Sequence, residues 1–165
     1  MKRRKRSVEL AVALCFVAGL LSACTSGTEN SGNNGNNSDL SDGTRIEMRF
    51  DGQTIYGTLI DNSVSRDLVS RLPLTLEFSD FNGTEKIAYL PDGSPDWNVS
   101  ASPNSCTPSA GDITMYSPWG NLAVFYRDFR QSNGLVPLGK LDDGEIDKLA
   151  AMEGTFEVVI SVVSD

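Results

Sequence analysis

The chain has no histidine. That removes every mechanism built on an imidazole base, and most catalytic zinc sites. Cysteine is scarce, with three in 165 residues, too few for a four-cysteine metal site or a dense disulfide scaffold. Positive charge is in deficit: 14 Lys and Arg face 22 Asp and Glu, for a net charge of −8. A nucleic-acid binder needs a basic footprint to displace counterions, and this chain has none on balance. The apolar run from Leu10 to Leu21 is also short. Spanning a bilayer takes about 20 apolar residues. What remains is a chain of ordinary apolar content, 39%, with the length of one domain and an appendage.

The appendage comes first. Lys2, Arg3, Arg4, Lys5 and Arg6 form a basic head, followed by the short apolar run and small residues. That order is a secretory signal. Leu21-Ser22-Ala23-Cys24 resembles a bacterial lipobox. The resemblance implies that the Cys24 thiol carries diacylglycerol and that signal peptidase II cuts just before it. The expected product is anchored in the cell envelope, on the outer face of a bacterial membrane. Loss of residues 1–23 leaves nine basic and 21 acidic residues, a charge of −12 over 142 residues. A polyanion has no electrostatic reason to lie on an anionic leaflet, so the acyl chains must supply the attachment. Cys15 leaves with the signal and Cys24 is lipidated. Cys106 then has no partner for an intrachain disulfide and no activating neighbour in sequence.

Residues 24–43 are the lipidated Cys and a tether rich in Gly, Ser and Asn, with Leu40 its only large apolar residue. Such a segment cannot bury enough surface to offset the entropy of ordering, so disorder is expected. Residues 44–165 read as one mainly β domain. Ile46, Met48 and Phe50 alternate with charged residues, and Asp51-Gly52 is a two-residue hairpin turn into 53–60. Asn62 or Ser63 caps a short helix carrying Val64, Leu68 and Leu72, which Pro73 ends. Further strands are predicted around Leu74–Phe78, over 87–90, 112–116 and 122–126, and at Phe156, Val158, Ile160 and Val162. Asn82-Gly83 is a turn, 142–150 a short helix, and 91–110 a proline-rich loop of the kind that forms a lid or binding loop. Many short strands with few helices indicate a closed barrel or a sandwich.

Several stretches carry a resemblance. Leu72-Pro-Leu-Thr-Leu76, Asn82-Gly-Thr-Glu-Lys-Ile87 with Tyr89-Leu-Pro91, and Ala110-Gly-Asp-Ile-Thr114 occur in order. Pro118-Trp-Gly-Asn-Leu-Ala123 with Phe125-Tyr126, and Gly134-Leu-Val136 with Leu138-Gly139, follow. Together they resemble the bacterial cyclophilin-like family. The resemblance implies a closed cyclophilin-like β-barrel with one or two short helices. True cyclophilins resemble one another around a Phe-His-Arg segment and a Gln-Gly-Gly-Asp-Phe segment, and this chain has neither.

Candidate site residues are few. Arg127, after two aromatics, is either a cation that stabilises a twisted prolyl amide or a solvated strand-end arginine. Trp119 lies in a Pro-Trp-Gly-Asn turn flanked by Tyr116 and Tyr126. It either anchors a ligand or plugs the barrel end. Tyr89, Trp97 in the long loop and Asn121, whose amide could read a ligand, complete the ligand-binding candidates. Asp142-Asp143-Gly144-Glu145 with Asp147 superficially resembles a calcium loop but fails its spacing. An acidic first turn of a helix explains it better. No metal site and no cofactor are expected, and the domain is expected to be monomeric. No residues form a nucleophile–base or acid–base pair. The expected function is therefore a peptide- or small-ligand-binding accessory module. The alternative is a peptidyl-prolyl isomerase acting on exported proteins.

Overall fold

The computed structural model describes residues 43–90 and 102–164. The signal segment, Cys24, the tether up to residue 42 and Trp97 lie outside the described residues. The domain opens with a hairpin of β1 (Thr44–Phe50) and β2 (Gln53–Leu59). Asp51 and Gly52 both adopt positive φ, 44° and 71°, which matches the turn to the twist of the strands. Helix α1 (Ser63–Arg71) follows, its first N–H groups held by Asn62 Oδ1 at 3.0 and 2.8 Å. It ends at Leu72, which is extended before Pro73. Strands β3 (Leu74–Phe81) and β4 (Glu85–Tyr89) turn at Asn82-Gly83, again with two positive φ values.

The second half contributes β5 (Ser105–Cys106), β6 (Asp112–Tyr116), β7 (Asn121–Phe125), β8 (Ser132–Asn133) and β9 (Leu135–Leu141). Helix α2 (Ile146–Ala150) and β10 (Thr155–Val162) close the chain. Eight strands form a closed barrel in the order β1-β10-β3-β4-β7-β6-β9-β2, and β5 and β8 pair separately. Inward side chains such as Ile46, Ile55, Phe78, Met115, Leu138 and Val158 fill its interior. The expected closed barrel with short helices is what forms.

Three expectations are corrected, and one strand had no expectation. Strand β4 begins at Glu85, two residues before Ile87, because Asn82 and Gly83 complete the turn sooner. The 91–110 segment is not a structureless loop throughout, since Ser105 and Cys106 pair with Asn133 and Ser132. Strand β9 was not legible, because Pro137 and Gly139 interrupt its pattern; the register with β6 shifts there, and proline is tolerated at such an irregularity. Helix α2 starts at Ile146 rather than Asp142, so Asp147 alone is acidic in its first turn. Asp142 instead accepts two bonds from the Arg45 guanidinium, at 2.7 and 2.8 Å, which holds its carboxyl below the usual range. Glu145 pairs with Lys148 at 2.7 Å.

Close contacts hold the β2–β9 seam and one end of the barrel. At the β2–β9 seam, Gly57 and Gly139 let two backbones approach more closely than a Cβ permits: a Cβ on Gly57 would lie 2.7 Å from the Lys140 carbonyl oxygen. At one end, the buried Lys86 ammonium bonds to Asp80 Oδ1 at 3.1 Å and to the Met152 carbonyl at 2.6 Å. A Cβ on Gly139 would strike the Thr58 carbonyl and lie 2.7 Å from Leu59 Cα, both backbone. Gly139→Ala should therefore lower the unfolding free energy by about 2 kcal/mol or more, read from the urea midpoint. An unchanged midpoint would show that the seam is not held by this approach.

Candidate functional site

A closed barrel normally buries one face of each strand and shows the other to water. Strand β7 departs from this rule, because all five of its residues are buried. Leu122 and Val124 join the barrel interior, while Ala123 and Phe125 belong to a second apolar cluster with Ile87 and Leu135. That cluster lies on the outer face of β4, β7 and β9. Phe81, Tyr116, Phe129 and Cys106 pack against it. The chain leading through β5 and the chain around β8 cover this face. Phe129 N–H donates to the Pro108 carbonyl at 2.9 Å, and Gly134 N–H donates to the Asn104 carbonyl at 2.9 Å.

The cover is incomplete and leaves a cleft of about 270 Å³. Its walls are aromatic: Phe81, Tyr116, Trp119, Phe125 and Phe129. Trp119 stands edge-on to Tyr116 at 5.3 Å and to Phe81 at 5.8 Å between ring centroids, yet is 50% exposed. Phe125 and Phe129 stack at 5.9 Å. Gly134, at φ 86°, allows the chain to press on this wall: a Cβ there would lie 2.9 Å from Pro118 and 3.1 Å from the Tyr116 ring. Ser132 and Asn133 complete the rim.

Two acceptors in this cleft lack partners among the described residues. Asn121 is 2% exposed and donates through Nδ2 to the Leu122 carbonyl at 3.1 Å. That bond fixes the amide so that Oδ1 is left buried and without a partner. Glu85 Oε2 is likewise buried and without a partner. Burial pushes the Glu85 carboxyl up to about 7. Each orphaned acceptor costs about 1–3 kcal/mol of unrepaid desolvation, which is why such groups are rare outside functional sites.

The structure separates the candidate residues. Tyr116, Trp119 and Asn121 meet in the cleft. Tyr126 does not line it: its hydroxyl donates to Asp80 Oδ1 at 2.6 Å, and burial together with that bond pushes the phenol up to about 12. The same bond leads the effects that hold Asp80 below the usual carboxylate range. Arg127 lies over the Tyr126 ring at 5.8 Å, away from the cleft lining. Tyr89 is 55% exposed and lines a separate hollow with Thr75, Glu77 and Ser79. Burial, with Asp112 nearby, raises the Cys106 thiol. No group of three or more Cys, Asp or Glu among the described residues is placed to hold a metal ion.

Sequence reasoning missed Glu85, Phe81, Phe125 and Phe129. The available signal was the run Leu122-Ala-Val-Phe125, which does not alternate. In an all-β chain, such a run means burial on both faces.

Glu85 makes the stability of the empty domain depend on pH. Its folded-state value lies above its ordinary 4.5, so the folded chain binds the proton more tightly than the unfolded one. The associated stability is present below about pH 4.5 and lost as pH rises through about 7. The full shift would correspond to roughly 3 kcal/mol, and solvent at the residue's edge reduces the expected loss to about 1–2 kcal/mol. Urea unfolding at pH 5.5 and pH 8 should show this loss, and Glu85→Gln should abolish it. Asp80 and Asp142, both lowered, act only at more acidic pH.

The profile of the cyclophilin-like family matches residues 48–161. No curated protein matches the sequence. Among solved structures, the hypothetical protein AF2241 from Archaeoglobus fulgidus is similar with a TM-score of 0.55 and 16% identity, over 73% of this chain and 95% of that one. The structure of McbB in complex with tryptophan is similar with a TM-score of 0.50 and 17% identity, over 73% of this chain and 46% of that one. This chain thus spans about half the length of McbB. At these identities the likeness concerns the fold alone. The barrel order and the family match over most of the chain agree, and the chain belongs to the cyclophilin-like family.

Proposed function

We propose that this chain is a lipid-anchored extracytoplasmic binding module whose barrel captures a small ligand in the aromatic cleft. One observation carries the reading: Glu85 Oε2 and Asn121 Oδ1 are both buried and unpartnered in one aromatic-walled cleft. A cleft used only for packing would have no reason to keep two unpaired acceptors beside a half-exposed tryptophan. A volume of about 270 Å³ suits one ring with a short chain rather than a long peptide. McbB, of which 46% is similar to this chain, forms a complex with tryptophan, a small aromatic compound. The anchor rests on the basic head, short apolar run and Leu21-Ser22-Ala23-Cys24. Two acyl chains suffice for stable attachment, and a polar stretch of 19 residues would span roughly 25 Å from it.

Titration calorimetry with single-ring aromatic compounds tests the cleft. At least one of phenethylamine, 2-phenylethanol and 3-phenylpropionate should bind one-to-one. Trp119→Ala should weaken that binding about tenfold or more, as loss of a central aromatic anchor does. No saturable binding by any of the three would sink the reading. For the anchor, Cys24→Ala should move the protein from the membrane to the soluble fraction and abolish labelling by a fatty-acid analogue. Retention of either property would contradict lipidation at Cys24.

A further inference from the structure

Resting on the reading of the cleft as a binding site, we infer that its ligand is an uncharged aromatic compound carrying a hydrogen-bond donor on its ring, and that Asn121 Oδ1 is the acceptor that selects it. The Asn121 side chain lines the cleft and is 2% exposed. Its Nδ2 donates to the Leu122 carbonyl at 3.1 Å, and its Oδ1 has no partner among the described residues. Turning the amide over would set Oδ1 against that carbonyl, acceptor against acceptor, and would cost Nδ2 its bond. The observed orientation is the better one, and it leaves an acceptor unpaired. A buried acceptor of this kind discriminates between ligands, because only a donor repays its desolvation.

The neighbours of Asn121 set the rest of the ligand. The register places Asn121 opposite Tyr116, and Trp119, in the turn between them, stands edge-on to the Tyr116 ring at 5.3 Å. An arene packs well against such rings. A donor on the ring itself keeps the arene there while its edge meets Oδ1. Charge is not called for at this end. Glu85 lies opposite Phe125, four residues along β7 from Asn121, a separation of about 13 Å between the two rows. The row between them is the apolar pair Ile87 and Ala123. A cation bonded to Asn121 would therefore bury its charge against a neutral amide. An anion would meet an acceptor, and no Lys or Arg lines the cleft to offset it. An arene without a donor leaves Oδ1 unpaired. A ring O–H or N–H satisfies it and brings no charge.

Calorimetry on the full chain at pH 7 tests the acceptor. 4-Ethylphenol is expected to bind about tenfold or more tightly than 1-ethyl-4-fluorobenzene, a compound of similar size without the donor. It should also bind more tightly than phenethylamine, which is cationic at this pH. Asn121→Leu should reduce the preference over the fluoro compound to about twofold or less, while binding of the fluoro compound persists. Asn121→Ala gives the same readout where Asn121→Leu does not fold. If the fluoro compound or phenethylamine binds the unaltered chain as tightly as 4-ethylphenol, or the preference survives loss of the amide, the inference is overturned and the cleft reading stands. If neither 4-ethylphenol nor the fluoro compound binds, the inference falls. The cleft reading falls with it only when phenethylamine, 2-phenylethanol and 3-phenylpropionate fail as well.

Discussion

Strand β7 has no face left for water, and the outer half of the structure follows from that constraint. Its inner side chains complete the barrel, while Ala123 and Phe125 need a second apolar layer. The chain supplies one from the ends of its loops: Phe129 stacks on Phe125, Leu135 enters beside Ile87, and the short β5–β8 pair holds the cover in place. Burying a phenylalanine-sized side chain is worth about 1.5–3 kcal/mol. A cover over β7 is therefore favourable even when imperfect. The imperfection is the cleft.

The same exclusion of water sets the polar chemistry. The chain handles buried polar groups in two opposite ways on either side of β4. Inside the barrel end, Lys86 is satisfied by Asp80 and a backbone carbonyl, and Tyr126 closes the group by bonding Asp80. On the outer side, the preceding residue, Glu85, is desolvated, and its Oε2 has no partner among the described residues. A residue-by-residue alternation of the strand thus places a finished polar network and an unfinished one within one peptide unit of each other. The finished network reads as structure. The unfinished one lines the aromatic cleft.

Much of the barrel was legible because its signals are local. Asp51-Gly52, Asn82-Gly83, the Asn62 cap and the alternation in β1, β3 and β10 each announce themselves within a few residues. The family resemblance added the closure that no local signal carries. Strand β9 was hidden by Pro137 and Gly139, whose roles appear only when β2 and β6 are in place. The site was legible by half. Tyr116, Trp119 and Asn121 stand out as aromatics and an amide around one turn. Glu85 does not, since an acidic residue after Asn-Gly-Thr reads as solvated turn chemistry. Only the strand register, which pairs it with Phe125, reveals that it is covered.

The central claim is that desolvation in this cleft holds one carboxyl near neutrality. A carbon-detected NMR titration of the Glu85 side-chain carboxyl tests it most directly. The account predicts a midpoint near 7. A midpoint in the ordinary range near 4.5 would contradict it.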